Sequence, residues 1–359
     1  MKFSLFFEMQ LASPTDRGER DIFHNSVEQA TLADQLGYHA VWAVEHHGLR
    51  EYAHSSAPEV FLSFVAARTQ NVRIGHGVSL TTHRYNHPIR VAERVATLDI
   101  LSNGRVNWGS GKSGTRTEQQ AFECDIPALS EEWLEAQRMI PQMWQDDVFE
   151  WHGKFFDIPP TQIVPKPVQK PQPPMFAACS TPSSAREAGA LGLGALNFSA
   201  GTQQKLTRRV QQYREAVAEA EPIGRSVTDH YACTPMSIVL DDDRTACEYG
   251  FRGARFFSQS QMKYYGSENR PVGPLGLDTG PLPADELERA MAERFAPDTP
   301  LTGVIGSPEV CRRRVEQFQE AGVDELILVM QMGTVPHDIV MESIRTFGEK
   351  VLPHFADNG

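Results

Sequence analysis

The sequence predicts an α/β protein in which eight parallel strands close into a (β/α)8 TIM barrel that carries insertions. Strand-like and helix-like patterns alternate from the first residue onward, and about eight short apolar runs resemble buried strands. Eight alternating units favour a closed barrel over an open, doubly wound sheet. In such barrels the active site lies at the carboxyl ends of the strands. This chain places small, polar and glycine-rich clusters directly after several of its apolar runs, which agrees with that arrangement.

The first half of the chain contains four predicted strands, near residues 3, 40, 72 and 105. A helix over 23–36 follows the first strand and ends at Gly37, a residue suited to the left-handed position after a helix. Helices over 58–68 and 88–101 begin with proline, which favours the first helical turn. The pattern over 117–146 is mostly helical, with one break.

The second half continues the alternation, with strands near residues 175, 194, 231 and 325. The strand near residue 231 is predicted to extend over 231–240. Two further helices are predicted, over 182–191 and 203–220. The segment 266–283 is rich in glycine and proline without periodicity, and long irregular loops of this kind are often active-site lids. We therefore expect one barrel domain over 1–359, with an insertion or lid region around 241–300.

Composition and charge exclude several classes of protein. The chain has 359 residues, 40% of them hydrophobic, and a net charge of -12, so it lacks the basic character of proteins that bind nucleic acid or anionic membranes. Its five cysteines are scattered without a C-x-x-C pair, which argues against a disulfide framework or a zinc site. Neither a secretory signal nor a membrane span is evident. These features predict a cytoplasmic protein.

Most of the histidines lie in the first quarter of the chain. Seven of the twelve fall between His39 and His87, yet none has the H-E-x-x-H spacing of a helical metal site, so we expect no metal. Glu45-His46-His47 directly follows the apolar run that ends at Val44. Adjacent side chains at a strand end point in opposite directions, so we expect only one of the two histidines to enter the active site and the other to be structural.

Two clusters are candidates for binding an anion. The run 109–114 combines glycines and serines with Lys112, although it matches neither the Walker A nor the Rossmann spacing and a flexible turn explains it about equally well. The run 180–184 has the composition of a helix N-terminus, where phosphates often bind, although helix capping alone explains it nearly as well. Because the two clusters follow neighbouring strands, together they suggest one phosphorylated cofactor held between them.

Four pieces of the sequence, in order, resemble the bacterial luciferase-like family of flavin-dependent monooxygenases. The resemblance covers essentially the whole chain and implies a luciferase-like barrel that binds reduced FMN at the carboxyl ends of its strands. The matching pieces are the N-terminal strand, the run from Gly37-Tyr38 through Trp42 to Glu45-His46-His47, the run from His87-Pro88 to Leu98-Asp99 and Asn103-Gly104-Arg105, and Gly306-Ser307-Pro308-Glu309 with Ala321-Gly322-Val323-Asp324-Glu325.

The resemblance also assigns roles to individual residues. His46 matches the catalytic histidine, and it would act as an acid or base with a pKa suited to neutral pH. Gly77-Val78 matches a non-prolyl cis peptide beneath the flavin ring. Gly111 replaces the reactive cysteine of luciferase, so no thiol role is carried over. The expected contacts to the FMN phosphate are Lys112, in place of an arginine, together with Ser180, in place of a glutamate, Thr181 and Ser184.

The implied reaction is that of a two-component monooxygenase. Reduced FMN, supplied by a separate flavin reductase, would react with O2 to a peroxyflavin that oxygenates a small organic substrate. Neither the substrate nor the nucleophilic or electrophilic character of the oxygen transfer follows from the sequence. Two alternatives remain open: a deazaflavin-dependent oxidoreductase that transfers hydride, and a non-catalytic flavin-binding protein.

The same resemblance implies a homodimer. The predicted helices over 58–68 and 88–101 carry more apolar residues than one face packed on the barrel requires. The remaining apolar positions would leave a large exposed patch on a monomer. We therefore expect a two-fold dimer through these helices.

Overall fold

The computed structural model of the protein describes residues 1–198, 201–266, 271–296 and 298–355. Its strands are β1 (Lys2–Phe7), β2 (Ala40–Ala43), β3 (Arg73–Leu80), β4 (Val106–Gly111), β5 (Phe149–His152), β6 (Asp157–Thr161), β7 (Met175–Cys179), β8 (Gly194–Asn197), β9 (Tyr231–Cys233), β10 (Met236–Val239), β11 (Gly303–Gly306) and β12 (Glu325–Leu328).

The helices alternate with these strands. They are α1 (Asp16–Gln35), α2 (Pro58–Ala66), α3 (Pro88–Leu101), α4 (Arg116–Ala121), α5 (Leu129–Gln145), α6 (Pro182–Ala190), α7 (Gln203–Ala218), α8 (Asp243–Tyr265), α9 (Ala284–Glu293), α10 (Pro308–Glu320) and α11 (His337–Lys350). Short 3-10 helices cover Ile126–Ala128 and Leu352–His354. None of the helices in the described ranges is both long enough and apolar enough to cross a membrane.

Eight strands form a closed parallel barrel in the order β1-β12-β9-β8-β7-β4-β3-β2, which confirms the predicted fold class and all eight predicted strand positions. Side chains alternate along each strand. On β1, Phe6 belongs to the apolar cluster that fills the barrel together with Trp42 and Phe176, whereas Phe3 and Leu5 belong to the cluster beneath the surrounding helices. The inner cluster is therefore a packed core, and the open space lies at the ends of the strands.

The prediction of one strand over 231–240 is wrong. The barrel strand β9 ends at Cys233, and Met236–Val239 forms a separate strand, β10, which pairs in parallel with β11 outside the barrel. Pro235 stands between the two strands and has no amide hydrogen to donate to a sheet. The chain therefore leaves the barrel at this point. The antiparallel hairpin of β5 and β6 is a second addition, and it lies in the connection between α5 and β7.

In its described part, the insertion region around 241–300 contains the two helices α8 and α9. The longer one, α8, packs closely on its neighbours: a Cβ at Gly250 would lie 2.5 Å from the side chain of Ile305. The predicted lid segment 266–283 has no regular structure where it is described, and residues 267–270 lie outside the described ranges. Its described part is attached near the carboxyl end of β2, because the Leu275 amide donates to Glu51 Oε1 at 3.2 Å.

Candidate active site

A cavity of about 720 Å³ opens at the carboxyl ends of the barrel strands. Its wall combines apolar side chains from inside the barrel with polar residues from the loops after β1, β2, β4 and β7, and the end of α8 covers one side. Of the seven predicted site residues, Thr181 does not line this cavity. The six that do are His46, Gly77, Val78, Lys112, Ser180 and Ser184.

His46 lies in the cavity wall just beyond β2, and its side chain is nearly buried. The ring Nδ1 lies 3.0 Å from Glu118 Oε1. On the other side of the ring, Nε2 lies 3.7 Å from Glu8 Oε2 and 3.4 Å from the Tyr265 hydroxyl. One imidazole is thus held between two carboxylates, which fixes its orientation and favours its charged form.

Glu118 is oriented by the start of α4. The Thr115 hydroxyl donates to Glu118 Oε2 at 2.6 Å and accepts from the Glu118 amide, so Thr115 caps the helix and positions this carboxylate. The other carboxylate oxygen accepts from the His47 amide at 2.9 Å as well as facing His46. These bonds leave the fully buried Glu118 little freedom to turn away from the imidazole.

Glu8 directly follows β1 and is buried. Its Oε1 accepts a hydrogen bond of 2.9 Å from the Tyr52 hydroxyl. Its Oε2 is buried without a hydrogen-bond partner among the described residues, at the edge of the cavity. A buried polar atom without a hydrogen-bond partner is unusual in a folded protein. A role in binding a proton or a ligand would explain this one.

The protonation states of His46, Glu8 and Glu118 differ from the expectation that the pKa of His46 lies near neutral pH. Burial opposes the charged imidazole, but Glu118 and Glu8 outweigh that effect and raise the pKa of His46 to about 9. Burial also raises the pKa of Glu8 to about 7. Burial disfavours the ionised Glu118 too, yet the charge of His46 lowers the pKa of that carboxyl. Near neutral pH, His46 is therefore charged, and the carboxyl of Glu8 is the group that changes its protonation.

His47 occupies a different environment, as expected for neighbouring residues at a strand end. It does not line the cavity, and its ring packs on Phe122 and stacks against Tyr85. Its Nε2 lies 3.1 Å from Glu45 Oε1, while Glu45 Oε2 accepts from the Leu80 amide at 2.8 Å. His47 therefore packs against residues outside the cavity, and of the two histidines only His46 lines the cavity.

The predicted anion clusters lie side by side because β4 and β7 are paired in the barrel. Lys112 follows β4 and Ser180 follows β7, and both line the cavity. The ammonium group of Lys112 donates to the Ser130 hydroxyl at 3.1 Å and lies 5.6 Å from the centre of the Trp133 ring. Thr181 instead uses its hydroxyl to cap α6, where it accepts from the Ser184 amide.

The expectation of a cis peptide between Gly77 and Val78 is wrong for this structure. Cis peptide bonds in the described chain occur before Pro165 and Pro171. The pairing of β3 with β4 instead shifts register between His76 and Ser79, so a bulge accommodates the irregular backbone at this position. Close packing continues on the next strand, where a Cβ on Gly111 would lie 2.8 Å from the Val78 side chain.

Three residues of the site were not predicted: Glu8, Glu118 and Tyr265. Two of them had a usable signal. Glu8 follows an apolar strand just as His46 does, and Thr115-x-x-Glu118 has the spacing of a capping box. Tyr265 had no such signal, because it reaches His46 from the far end of α8. Its ring lies so close to Gly114 that a Cβ there would be 2.5 Å away.

The described residues contain no group of three or more His, Cys, Asp or Glu side chains that could hold a metal ion. The buried charges around His46 are instead paired with each other and with hydroxyl groups. The carboxylates that face His46 and His47 are therefore explained by pairing with these two imidazoles.

Comparisons with known proteins agree with this architecture. The chain is 33% identical over 192 residues to the oxygenase component of flavin-dependent trigonelline monooxygenase from Acinetobacter baylyi, a match that spans about half of each protein (51% of this chain and 50% of that one). It is 26% identical over 326 residues to an F420-dependent glucose-6-phosphate dehydrogenase from Amycolatopsis mediterranei, covering 88% of this chain and 90% of that one.

A solved structure, the monooxygenase RslO1 from Streptomyces bottropensis, superposes with a TM-score of 0.83 and 25% identity over 99% of this chain and 100% of that one. The model of the luciferase-like monooxygenase family matches residues 1–325, which confirms the predicted resemblance. The relatives include flavin-dependent monooxygenases and F420-dependent dehydrogenases, and a flavin-type cofactor is typical of the family. This chain belongs to the luciferase-like monooxygenase family.

Proposed function

We propose that this protein is the oxygenase component of a two-component flavin monooxygenase, which uses reduced FMN and O2 to oxygenate a small organic substrate. A separate flavin reductase supplies the reduced FMN. The observation that carries the proposal is a charged imidazole, His46, held between Glu118 and Glu8 in the wall of a largely apolar cavity. The relative that is itself named an oxygenase component supports the two-component arrangement.

The residues of the cavity fit FMN. A volume of about 720 Å³ lies within the range of roughly 300–1,000 Å³ that is usual for cofactor sites. Apolar side chains such as Trp42, Val78 and Leu196 suit a flat aromatic ring system. Lys112 with the hydroxyl groups of Ser180 and Ser184 suits a phosphate dianion at the ends of two neighbouring strands. These residues would hold the cofactor by its two chemically different ends.

FMN, when bound in its reduced form, supplies the activation of O2 and the transfer of one oxygen atom. His46 can stabilise negative charge that develops on oxygen beside it, and it can deliver a proton from Nε2. Glu118 keeps the other ring nitrogen, Nδ1, bonded, so the proton available for transfer is the one on Nε2. Glu8 lies 3.7 Å from that nitrogen, where it can return a proton to His46 after each turnover.

Water must be kept from this chemistry, and the end of α8 serves that purpose. Gln261, Met262 and Tyr265 line the cavity from this helix. The Tyr265 ring packs edge-on against His46 and Tyr52, with ring centres 6.2 Å and 6.0 Å apart. The helix thus closes the cavity directly above the catalytic histidine.

The test is to measure oxygen uptake in the presence of NADH, FMN and a flavin reductase, with a panel of aldehydes, ketones and phenols. His46→Ala should reduce product formation by about 100-fold or more, which is the usual scale for lost acid–base catalysis, while FMN still binds. His47→Ala is the matched control, because it removes a neighbouring imidazole that lies outside the cavity. Unchanged coupling of oxygen use to product in the His46 variant would refute the assignment.

A second function, hydride transfer with F420, is favoured by a specific observation. Glu8, whose pKa is raised by burial to about 7, is placed beside His46 as a base that could take the proton of an alcohol. A relative that is similar over most of its length is an F420-dependent dehydrogenase. Anaerobic titration distinguishes the two functions: tight binding of F420 and its reduction by an alcohol, without oxygen uptake, would replace our proposal with this one.

A further inference from the structure

A second cavity, of about 390 Å³, lies beside the active-site cavity. Phe198, Thr234 and Gln261 line both cavities, so the two spaces share a wall. The helix α8 contributes Gln261 to that wall and forms one side of the second cavity. Ala254, Ser258 and Gln261, which lie four and three residues apart on one face of the helix, line the second cavity.

The two cavities differ in charge. The active-site cavity is lined by three carboxylates, from Glu8, Glu45 and Glu118. Among the described residues that line the second cavity, Arg255 is the charged one, and the rest are apolar or neutral and polar. In the active-site cavity these carboxylates stand beside the charged groups of His46 and Lys112, whereas in the second cavity Arg255 is the group that would attract a substrate with one negative group.

Arg255 has unused hydrogen-bonding capacity. Its Nη2 donates to the Gly280 carbonyl at 2.6 Å and lies 3.2 Å from Asp278 Oδ2. Both partners belong to the predicted lid segment 266–283. Its Nε is buried and has no hydrogen-bond partner among the described residues. A guanidinium group has five N–H donors in a fixed plane, a geometry that suits a carboxylate. The protein thus holds Nη2, while within the described part of the chain the Nε–H donor is left without an acceptor, which a ligand carboxylate would supply.

We propose that the second cavity binds the carboxylate group of the substrate through Arg255, and that the organic acid's apolar body reaches toward His46 past the shared wall. Phe198, Leu206 and Leu301 in the lining suit a small apolar or aromatic body. This inference rests on the proposed function only in taking the neighbouring cavity to hold the cofactor. It names the substrate class as small organic monoacids.

Benzoate and benzamide are a suitable pair of probes, because they have nearly the same shape and differ in charge. Binding is measured calorimetrically on the whole protein with saturating FMN and without turnover. The wild type should bind benzoate more tightly than benzamide, and Arg255→Gln should weaken benzoate binding roughly 10- to 100-fold, the scale for a lost charge-assisted hydrogen bond. Equal binding of the two probes to the wild type would overturn the proposal without any variant being needed.

Two further variants separate ligand binding from structural support. Arg252→Gln is the matched control: Arg252 lies one turn earlier on α8, also has a buried Nε without a partner, and donates to the Thr334 carbonyl, but it does not line the cavity. It should leave benzoate binding unchanged. Asp278→Asn breaks the ion pair of Arg255 but keeps the guanidinium, so benzoate binding should persist or strengthen; its loss would show that Arg255 only anchors the insertion.

Competition between benzoate and each cofactor shows whether the carboxylate bound by Arg255 belongs to a substrate or to a cofactor. Benzoate and FMN should bind together, since they occupy separate cavities, and displacement of benzoate by FMN would overturn the proposal. Displacement by F420 but not by FMN would assign the cavity to an acidic part of that cofactor instead of the substrate. Failure of the proposed monooxygenase activity has a different signature, because it would appear in oxygen uptake and leave the difference between benzoate and benzamide intact.

Discussion

The replacement Glu118→Gln tests the electrostatic account of the active site most directly. Glutamine keeps the shape of the side chain but removes its negative charge, while Glu8 remains on the other side of His46. The pKa of His46 is raised from its ordinary 6.5 to about 9, and among the groups that raise it Glu118 has the largest effect. Without that carboxylate, the burial of the imidazole opposes its charge, so the pKa should fall to roughly 7 or below.

The replacement Glu118→Gln also alters how the free energy of unfolding depends on pH. A histidine whose pKa is higher in the folded protein than in the unfolded chain stabilises the fold below pH 6.5, and this stabilisation is lost as the pH rises from 6.5 through about 9. The difference between the two pKa values corresponds to about 3 kcal/mol. Glu8 loses its proton in the folded protein near pH 7, so the window from pH 7 to 9 reports mainly on His46.

The assay is NMR of protein carrying 13C-labelled histidine, with the His46 resonance assigned from the His46→Ala variant. The wild-type resonance should titrate near pH 9, and in Glu118→Gln the midpoint should fall by at least about two pH units. Glu132→Gln is the control, because it removes a carboxylate that faces His83 outside the cavity. A midpoint that stays near 9 in the Glu118 variant would refute the account of how His46 is kept charged.

Three other changes test separate parts of the structure. Lys112→Ala should weaken FMN binding by about 1.5–3 kcal/mol and riboflavin binding much less, because only FMN carries the phosphate; equal losses, measured by fluorescence titration, would show that Lys112 does not face it. Gly114→Ala places a methyl group 2.5 Å from the Tyr265 ring, so that ring must move from His46 and more peroxide should be released per O2 consumed; unchanged coupling in an oxygen electrode would contradict the shielding role. Val60 and Phe64 are 66% and 49% exposed on one face of α2, so Phe64→Glu should turn the predicted homodimer into monomers; a wild type that is already monomeric by light scattering at micromolar concentration would exclude the dimer.

The parts that sequence predicts well are those encoded by local patterns. Each barrel strand is a short apolar run that ends in small or polar residues, and the helix α3 begins and ends at the predicted residues because Pro88 and Asn103-Gly104 mark its limits. The run Glu45-His46-His47 was found in the same way, from its position directly after a strand, and the family resemblance then pointed to His46. These signals need no knowledge of what lies across the barrel.

The helix α8 shows why other parts are harder to predict. Gly250 and Gly253 weaken a helical pattern, since glycine is a poor helix former. In the structure both glycines allow close approach: a Cβ would lie 2.5 Å from Ile305 at the first and 2.8 Å from Val335 at the second. The advantage of glycine here comes from partners on β11 and on the loop after β12, which are far away in sequence. Local propensity cannot include such contacts, so the helix that closes the active site was missed.

The same limit applies to the chemistry of the site. His46 was expected to titrate near neutral pH, as an isolated histidine does, but residues that are distant in the chain reverse the assignment. Glu8 and Glu118 stand on either side of the imidazole, and they raise its pKa to about 9 while burial raises the pKa of Glu8 to about 7. With Glu118 ionised, the second carboxylate decides whether the buried cluster is neutral or negative. Near neutral pH the protonation change that can control turnover therefore belongs to Glu8, and His46 keeps its proton until the reaction takes it.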